Sequence, residues 1–312
     1  MNVNMENRVI IIAGPTGVGK TKLSIEIAKK IDAEIVSMDS MQIYKKMDIG
    51  TAKITKSEMQ GIPHHMIDIV DPDNEFDIVI FQKMAREAID SIHRKNKVAI
   101  LVGGTGFYIQ AVVRSVNFQN QKLDKTYKKT LELISSIKNG KEILYDLLKE
   151  IDYAAYKTIH KNNVKRVIRA LEFYNEFGYS IQEHNIEEAK KGYLYETSFY
   201  VLTDKREEIY KRIDNRVDQM MADGLEKEVT YLLNNYELSK TAIQAIGYKE
   251  MISFLSGELS RDECIEKIKI NSRHYAKRQL TWFNREKDAK FIDISKFSSI
   301  EDVANNLIEN WR

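Results

Sequence analysis

The chain has 312 residues, of which 43% are hydrophobic and 30% charged, and its net charge is +2. This composition fits a soluble globular protein with one sizeable core or two unequal ones, and the net charge does not indicate a nucleic-acid partner. The single cysteine, Cys264, excludes an internal disulfide framework and a cysteine-based zinc cluster. No apolar run reaches membrane-spanning length, and residues 1–8 lack an apolar signal core. We therefore expect a cytoplasmic protein with no membrane partner, and we expect it to be a monomer.

Residues 1–116 alternate between apolar runs and helical patterns. The predicted strands are 8–13, 34–38, 65–69 and 98–102, and the predicted helices are 20–31 and 76–95. This alternation predicts an α/β fold with a parallel sheet flanked by helices on both faces. Ligands of such sheets lie beyond the carboxyl ends of the strands, so the residues that leave those ends are the candidates for function.

A phosphate-binding loop follows the first predicted strand. The sequence is Gly14-Pro15-Thr16-Gly17-Val18-Gly19-Lys20-Thr21, and a helical pattern begins directly after it. A loop of this kind turns its backbone N–H groups, and the positive end of the helix, towards an anion. Lys20 adds a charge to the outer phosphate, and the Thr21 hydroxyl is placed to bind Mg²⁺. The loop predicts a di- or triphosphate ligand but does not say which one.

Two polar residues leave the ends of neighbouring predicted strands. Asp39 follows the second strand, where a carboxylate can accept a proton from a nucleophile or hold Mg²⁺ through water. An aspartate that caps a helix or closes an Asx-turn would look the same in sequence. Thr105 follows Gly103 and Gly104 and can supply a hydroxyl near the phosphates, or it can cap the next helix.

Residues 117–198 lose the alternation and are polar and helical, with helices predicted at 122–140 and 141–153. The segment 157–169 carries basic residues and no acid, and Lys165, Arg166 and Arg169 fall on adjoining helical positions. A basic face of this kind suits a phosphate backbone. An ordinary solvated helix face explains the same pattern.

The apolar run 199–203 predicts a strand that rejoins the sheet. Three domain segments follow: 1–116 and 199–312 form the core, and 117–198 forms a helical insertion. The helix after the strand carries Arg216 and ends at Gly224. A further helix is predicted at 241–256, and a second basic stripe consists of Lys269, Arg273, Lys277 and Arg278.

Taken together, several stretches resemble one family, the tRNA dimethylallyltransferases (tRNA isopentenyltransferases). Besides the phosphate loop, they are Ser-Met-Asp-Ser-Met-Gln-Ile-Tyr at 37–44, Met-Asp-Ile-Gly-Thr-Ala-Lys at 47–53, Pro-His-His at 63–65, Val-Gly-Gly-Thr-Gly at 102–106, Gly-Tyr-Lys-Glu at 247–250 and Lys-Arg-Gln-Leu-Thr-Trp-Phe at 277–283. The resemblance spans nearly the whole chain. The phosphate loop alone is unspecific, but the ordered set is highly specific.

The resemblance implies transfer of a dimethylallyl group from dimethylallyl diphosphate to N6 of adenosine 37, beside the anticodon, in tRNAs that read codons beginning with U. It implies that Gly14 to Thr21 hold the diphosphate, with Mg²⁺ as cofactor. It also implies that Asp39 removes the amine proton, that Thr105 orients the same region and that Arg216 reaches the diphosphate.

The resemblance further implies contacts with the anticodon stem-loop of tRNA. The implied residues are Asp39, Ser40, Met41, Gln42, Thr105, Lys128, Lys165, Arg166, Arg169, Gln244, Gly247, Tyr248 and Lys249. The family commonly has an arginine where this chain has Gln244, which weakens an ionic contact there. The local match at Lys128 is loose, and no role follows for 47–53.

Two other functions fit parts of the pattern. A small P-loop kinase would share the phosphate loop but would not need the two basic helical faces or the residues after Asp39. A non-catalytic RNA-binding P-loop protein would not need Lys20, Thr21, Asp39 and Thr105 together. Prenyl transfer to tRNA accounts for more of the chain than either alternative.

Overall fold

The computed structural model describes residues 7–116 and 125–311. Its strands are β1 (Arg8–Ala13), β2 (Ala33–Ser37), β3 (His64–His65), β4 (Val98–Gly103), β5 (Glu196–Thr203) and β6 (Lys290–Asp293). Its helices are α1 (Lys20–Ile31), α2 (Ile78–His93), α3 (Gly106–Val113), α4 (Lys125–Ser136), α5 (Gly140–Ile151), α6 (Tyr153–Thr158), α7 (Val164–Phe177), α8 (Ile181–Lys190), α9 (Arg206–Asp223), α10 (Leu225–Asn235), α11 (Lys240–Ile243), α12 (Tyr248–Leu255), α13 (Arg261–Phe283) and α14 (Ile300–Trp311). None of the helices in these ranges is long and apolar enough to span a membrane.

The six strands form one parallel sheet in the order β3-β2-β4-β1-β5-β6. The central strands are continuous apolar runs because helices cover both faces of a parallel sheet. In register, Ala13 lies opposite Gly103, and Ser37 lies opposite Val102. The carboxyl ends of β1, β2 and β4 therefore reach the same edge of the sheet at nearly the same level.

The predicted α/β class is confirmed, but the predicted third strand is wrong in extent. The sequence predicts a strand at 65–69, whereas β3 contains only His64 and His65. Met66 and Asp68 have φ values of 63° and 54°, in the left-handed region, so the chain cannot continue as a strand there. The His65 ring lies 2.8 Å from the buried carboxylate of Glu34, which is near the start of β2.

The chain divides into two compact units. Unit 1 consists of Met1–Val113 and Tyr195–Arg312 and contains the sheet, and unit 2 consists of Arg114–Leu194. The sequence places the two boundaries after residues 116 and 198, a few residues later than the boundaries of these units. The first predicted boundary is next to residues 117–124, which lie outside the described residues. The strand β5 begins at Glu196, three residues before the predicted start.

Unit 2 is helical and has a hydrophobic core of its own. Leucine, isoleucine, valine and alanine side chains of α4, α5, α6 and α7 form this core, with Leu131, Leu144, Leu148 and Leu171 at its centre. Residues 122–124 of the predicted helix 122–140 lie outside the described residues, and α4 ends at Ser136. The Asn163 side chain accepts a hydrogen bond from the backbone N–H of Arg166, which defines the start of α7.

The predicted single helix at 241–256 is interrupted. The short helix α11 ends at Ile243, and α12 begins at Tyr248. Gly247 lies between them with φ of 96°, a value that an L side chain rarely adopts. The glycine therefore marks a break between two helices and does not lie within one.

We expect Leu144→Ala to weaken unit 2 by about 3 kcal/mol, because the Leu144 side chain is 0% exposed and its removal leaves a cavity. Native-state hydrogen exchange of the full chain measures this as faster exchange of the α5 and α7 amides. Leu133→Ala is the matched control, because Leu133 lies on α4 and is 69% exposed. Equal effects of the two substitutions would contradict the assigned core.

Candidate active site

Three loops meet at the carboxyl edge of the sheet. The phosphate loop leaves β1, Asp39 follows β2, and Thr105 follows β4. The backbone N–H of Met38 donates to the Val102 carbonyl at 2.8 Å, so the second and third loops are tied where they leave the sheet. The parallel register thus brings together residues that are far apart in the sequence.

The phosphate loop has the backbone that an anion cradle needs. Gly14, Gly17 and Gly19 have φ values of 141°, 79° and 97°. The Lys20 ammonium folds over the loop and donates to the carbonyls of Gly14 and Pro15 at 2.9 and 2.8 Å. The loop conformation therefore holds the ammonium of Lys20 over the loop itself, at the N terminus of α1.

Asp39 has one occupied and one open carboxylate oxygen. Its Oδ1 accepts hydrogen bonds from the backbone N–H groups of Met41 and Gln42, at 2.8 and 3.3 Å. Its Oδ2 has no hydrogen-bond partner among the described residues. The Asx-turn and the functional role are therefore compatible, since the turn fixes the carboxylate and leaves an oxygen for a substrate.

Two arginines of α9 lie near the loop and differ in their partners. Arg212 donates to the Gly17 carbonyl at 2.7 Å and pairs with Asp204 at 2.6 Å. Arg216 forms no hydrogen bond or ion pair with the described residues. Much of its side chain is accessible to solvent, yet the surrounding protein lowers the pKa of its guanidinium, an effect that Glu58 opposes. Arg216 is therefore a cation that remains available to an anion.

Lys20, Arg216 and Asp39 are close enough to affect one another electrostatically. Burial and the neighbouring Arg216 together lower the pKa of Lys20 to about 7, an effect that Asp39 opposes. Lys20 and Arg216 have no ion-pair partner among the described residues, although the carboxylates of Asp39 and Glu58 lie near them. Two unpaired cations suit a polyanionic ligand.

Two tyrosines lie close enough to Asp39 for its charge to affect the pKa of their phenols. Burial, with smaller effects of Tyr44 and Asp39, raises the pKa of Tyr108 to about 12. Burial and Asp39 likewise raise the pKa of Tyr275, whose hydroxyl lies 3.3 Å from Thr105 Oγ1. Both phenols therefore stay protonated at neutral pH and can donate hydrogen bonds beside the carboxylate.

Few protein groups in this region could hold a metal ion. The Thr21 side chain is exposed in the first turn of α1, next to Lys20. Within residues 7–116 and 125–311, no group of three or more His, Cys, Asp or Glu side chains is arranged to bind a metal. A cation at Thr21 would therefore need oxygen ligands from a bound phosphate and from water.

Comparison with known proteins gives the family. The model of the IPP transferase family matches residues 42–286. A tRNA dimethylallyltransferase of Lachnoclostridium phytofermentans is 45% identical over 302 residues, which is 96% of this chain and 96% of that protein. One of Bacillus licheniformis is 47% identical over 293 residues, covering 94% of this chain and 93% of its own. The chain belongs to the IPP transferase family of tRNA dimethylallyltransferases.

Solved structures agree with this membership. A tRNA isopentenylpyrophosphate transferase from Staphylococcus epidermidis has a TM-score of 0.71 at 40% identity, covering 98% of this chain and 100% of that one. A eukaryotic dimethylallyltransferase described as acting on tRNA has a TM-score of 0.82 at 32% identity, covering 97% and 80%. The predicted family and fold class are confirmed.

The residues after Asp39 have structural partners as well as exposed surface. Ser40 and Met41 are partly exposed, whereas the Gln42 side chain donates to the carbonyls of Thr51 and Ala52 at 3.4 Å. The block 47–53, which had no predicted role, therefore supports the loop that carries Asp39.

That block is itself held by a carboxylate from α10. Glu228 accepts the backbone N–H groups of Asp48, Ile49 and Gly50, at 2.8 to 3.1 Å. The Tyr248 hydroxyl donates to the same carboxylate at 2.6 Å. No sequence pattern signals this contact, because Glu228 lies in an ordinary amphipathic helix.

The predicted tRNA residues near α12 differ in their access to solvent. Gln244 is exposed, and Lys249 is partly exposed beside Glu250 at 3.5 Å. Gly247 and Tyr248 are buried, and the Tyr248 ring covers Gly50. In this conformation the Tyr248 side chain is part of the core, so its role is to support the loop 47–53.

The predicted tRNA residues of unit 2 also fall into two groups. Lys128, Lys165 and Arg166 are exposed. Arg169 is half-buried, and burial lowers its pKa while Glu172 opposes this effect. Burial raises the pKa of Glu172, whereas the charges of Lys128 and Arg169 oppose this rise. Lys165 and Arg166 are therefore the clearest candidates for contact with a phosphate backbone.

Two of the four cations of the second basic stripe, on α13, form ion pairs. Lys269 pairs with Asp218 at 2.6 Å, and Arg273 binds both carboxylate oxygens of Asp214. Lys277 and Arg278 remain exposed. Half of this stripe therefore joins α13 to α9, which the sequence pattern of α13 alone could not show.

We expect the binding of inorganic diphosphate at pH 8 to draw up to about one proton onto Lys20. Its pKa of about 7 leaves the side chain mostly neutral at pH 8, and a bound anion favours the charged ammonium and raises that pKa. Affinity should accordingly fall as pH rises above about 7. Calorimetric titration in buffers of different ionisation enthalpy measures the proton uptake.

Lys20→Met is the control for this titration, because it leaves any proton exchange of the diphosphate itself in place. The difference between the two proteins then isolates Lys20. Equal uptake by the wild type and by Lys20→Met would contradict the lowered pKa.

Proposed function

We propose that the protein transfers the dimethylallyl group of dimethylallyl diphosphate to N6 of adenosine 37 in tRNAs that read codons beginning with U. The products are N6-(dimethylallyl)adenosine and diphosphate. Family membership supports this proposal. The observation that carries it is that Asp39 and Arg216 both act on the phosphate-loop lysine Lys20, while neither Oδ2 of Asp39 nor Arg216 has a hydrogen-bond partner within residues 7–116 and 125–311. A carboxylate base next to an anion cradle is what this transfer needs.

Proton removal is one of two main barriers. The exocyclic amine of adenine is a poor nucleophile because its lone pair is delocalised into the ring. In the transfer, N6 forms a bond to C1 of the dimethylallyl group, and the bond from C1 to the bridging diphosphate oxygen breaks with its electron pair. The N6 proton passes to Asp39, whose position is fixed by Met41 and Gln42.

The charge of the leaving group is the other barrier. The proposed place of the diphosphate is the phosphate loop, where Lys20 and Arg216 supply cations. Backbone N–H groups of the loop add donors there, except at Pro15, which has none, and at Thr16, whose N–H bonds to Gln279. The surrounding protein that lowers the pKa of both cations also strengthens their attraction to an anion, because it limits their contact with water. The phosphate loop thus acts on a leaving group and not on ATP.

Mg²⁺ is the proposed cofactor. The exposed Thr21 hydroxyl fits one position of a cation that is otherwise held by diphosphate oxygens and water, as the scarcity of carboxylate ligands requires. When bound, such an ion neutralises diphosphate charge.

Unit 2 is proposed to contact the anticodon stem-loop. Lys128, Lys165 and Arg166 offer exposed cations to the tRNA backbone, and Gln244 and Lys249 offer polar contacts from unit 1. The protein is proposed to act as a cytoplasmic monomer, in line with a tRNA substrate.

The decisive assay combines the protein, Mg²⁺, labelled dimethylallyl diphosphate and a tRNA with an adenosine beside the anticodon. We expect label on the tRNA but none on AMP. In this assay Asp39→Asn should slow transfer by about 10²- to 10⁴-fold while tRNA binding persists. The amide keeps an oxygen for the turn to Met41 and Gln42 but cannot accept the proton.

Asp293→Asn is the matched control, because Asp293, at the end of the edge strand β6, also accepts a hydrogen bond from a backbone N–H, that of Ser295. It should transfer at the wild-type rate. Near-native transfer by Asp39→Asn would exclude the role of base, and ATP turnover without transfer would point to a kinase.

We expect Lys165→Ala combined with Arg166→Ala to weaken tRNA binding, because two exposed cations no longer release counterions. The slope of log affinity against log salt should become shallower by about two units. Filter binding at several salt concentrations measures the slope.

The control is Lys287→Ala with Lys296→Ala, which removes the same charge from exposed positions of unit 1. It should leave the slope unchanged. An equal change in both double variants would show only a general charge effect.

A further inference from the structure

One face of α13 lies against the turn that carries Thr105. Tyr275, Gln279 and Trp282 follow one another at helical spacing along this face. A Cβ added at Gly104 would overlap the Gln279 side chain, and one added at Gly106 would overlap the Trp282 ring. The turn therefore approaches the helix as closely as glycine permits.

Gln279 joins this helix to the phosphate loop. Its side chain is only 6% exposed, and its Oε1 accepts the backbone N–H of Thr16 at 2.9 Å. A buried amide with a specific partner fixes the separation of the segments that it joins. The start of the phosphate loop is thus held from α13, in addition to its own turn.

Tyr275 joins the same helix to the Thr105 hydroxyl. The two oxygens lie 3.3 Å apart. The phenol stays protonated at neutral pH, because burial and Asp39 raise its pKa. When Tyr275 donates to Thr105 Oγ1, the threonine keeps its own hydrogen for another acceptor.

We propose that Tyr275 and Gln279 are positioning residues that set the Thr105 hydroxyl and the diphosphate cradle from one helix. Tyr275 positions Thr105, which faces the nucleotide that accepts the dimethylallyl group. Gln279 positions Thr16 of the loop that binds the diphosphate. The face of α13 therefore fixes the distance between the two reacting partners. This inference rests on the proposed transfer reaction.

The test for Tyr275 is a double-mutant cycle with Thr105 in the labelled transfer assay. Tyr275→Phe should lower kcat about 10-fold, the size expected for one lost hydrogen bond, with the KM for dimethylallyl diphosphate unchanged. In a Thr105→Ala background, the same substitution should have no further effect. Additive losses in the two backgrounds would overturn the role through Thr105.

The test for Gln279 is the affinity for inorganic diphosphate, which needs no transfer. Gln279→Leu should weaken this affinity about 10-fold, because the Thr16 N–H loses its hydrogen-bond acceptor and the phosphate loop loses its contact with α13. The loss should be the same in the Thr105→Ala background. An unchanged affinity would overturn the role of Gln279.

Two controls separate these outcomes from others. Thr281→Ala changes an exposed side chain of the same helix, whose hydroxyl bonds only to the Lys277 carbonyl among the described residues, and it should leave both readouts unchanged. The melting temperature of Tyr275→Phe should stay within about 2 °C of the wild type, since a larger drop would indicate a general structural role. Failure of the wild type to transfer label would count against the proposed function, whereas wild-type transfer with unaffected variants would count against the inference alone.

Discussion

The parallel pairing of β4 with both β1 and β2 is the constraint on which the site depends. The hydrogen bonds of a parallel ladder fix the relative level of neighbouring strands, and here that level brings Ala13, Ser37 and Gly103 to one edge. Loops from three distant parts of the chain then share a small volume. The apolar strands that make this possible carry no functional group themselves.

The charges at this edge are unbalanced in a way that fits the family's diphosphate substrate. Arg212 is neutralised by Asp204 and serves to hold Gly17, whereas Arg216, one helical turn further, has no such partner among the described residues. Arg216 and Lys20 are thus two unpaired cations near the phosphate loop, and Asp39 is a carboxylate fixed near them. Burial of like charges has an energetic cost, which a bound anion offsets.

Long-range polar contacts support the loops that carry this chemistry. Glu228 gathers three successive backbone N–H groups of the block 47–53, and Gln279 holds the Thr16 amide. Each is a polar side chain satisfied by backbone groups that have no partner in a strand or helix. The site is therefore built by the loops and kept in place by helices of the second half of the core.

The sequence by itself determined the local elements: the phosphate loop, the apolar strands and, through the ordered set of motifs, the family. These features depend on neighbouring residues, so a local pattern reports them. Only the tertiary structure decided which polar groups meet, as with Glu228, Gln279 and the pairing of Arg273 with Asp214. It also decided that Gly247 separates two helices, because the buried Tyr248 ring must lie over Gly50. Such contacts depend on distance in space, which periodicity along the chain does not contain.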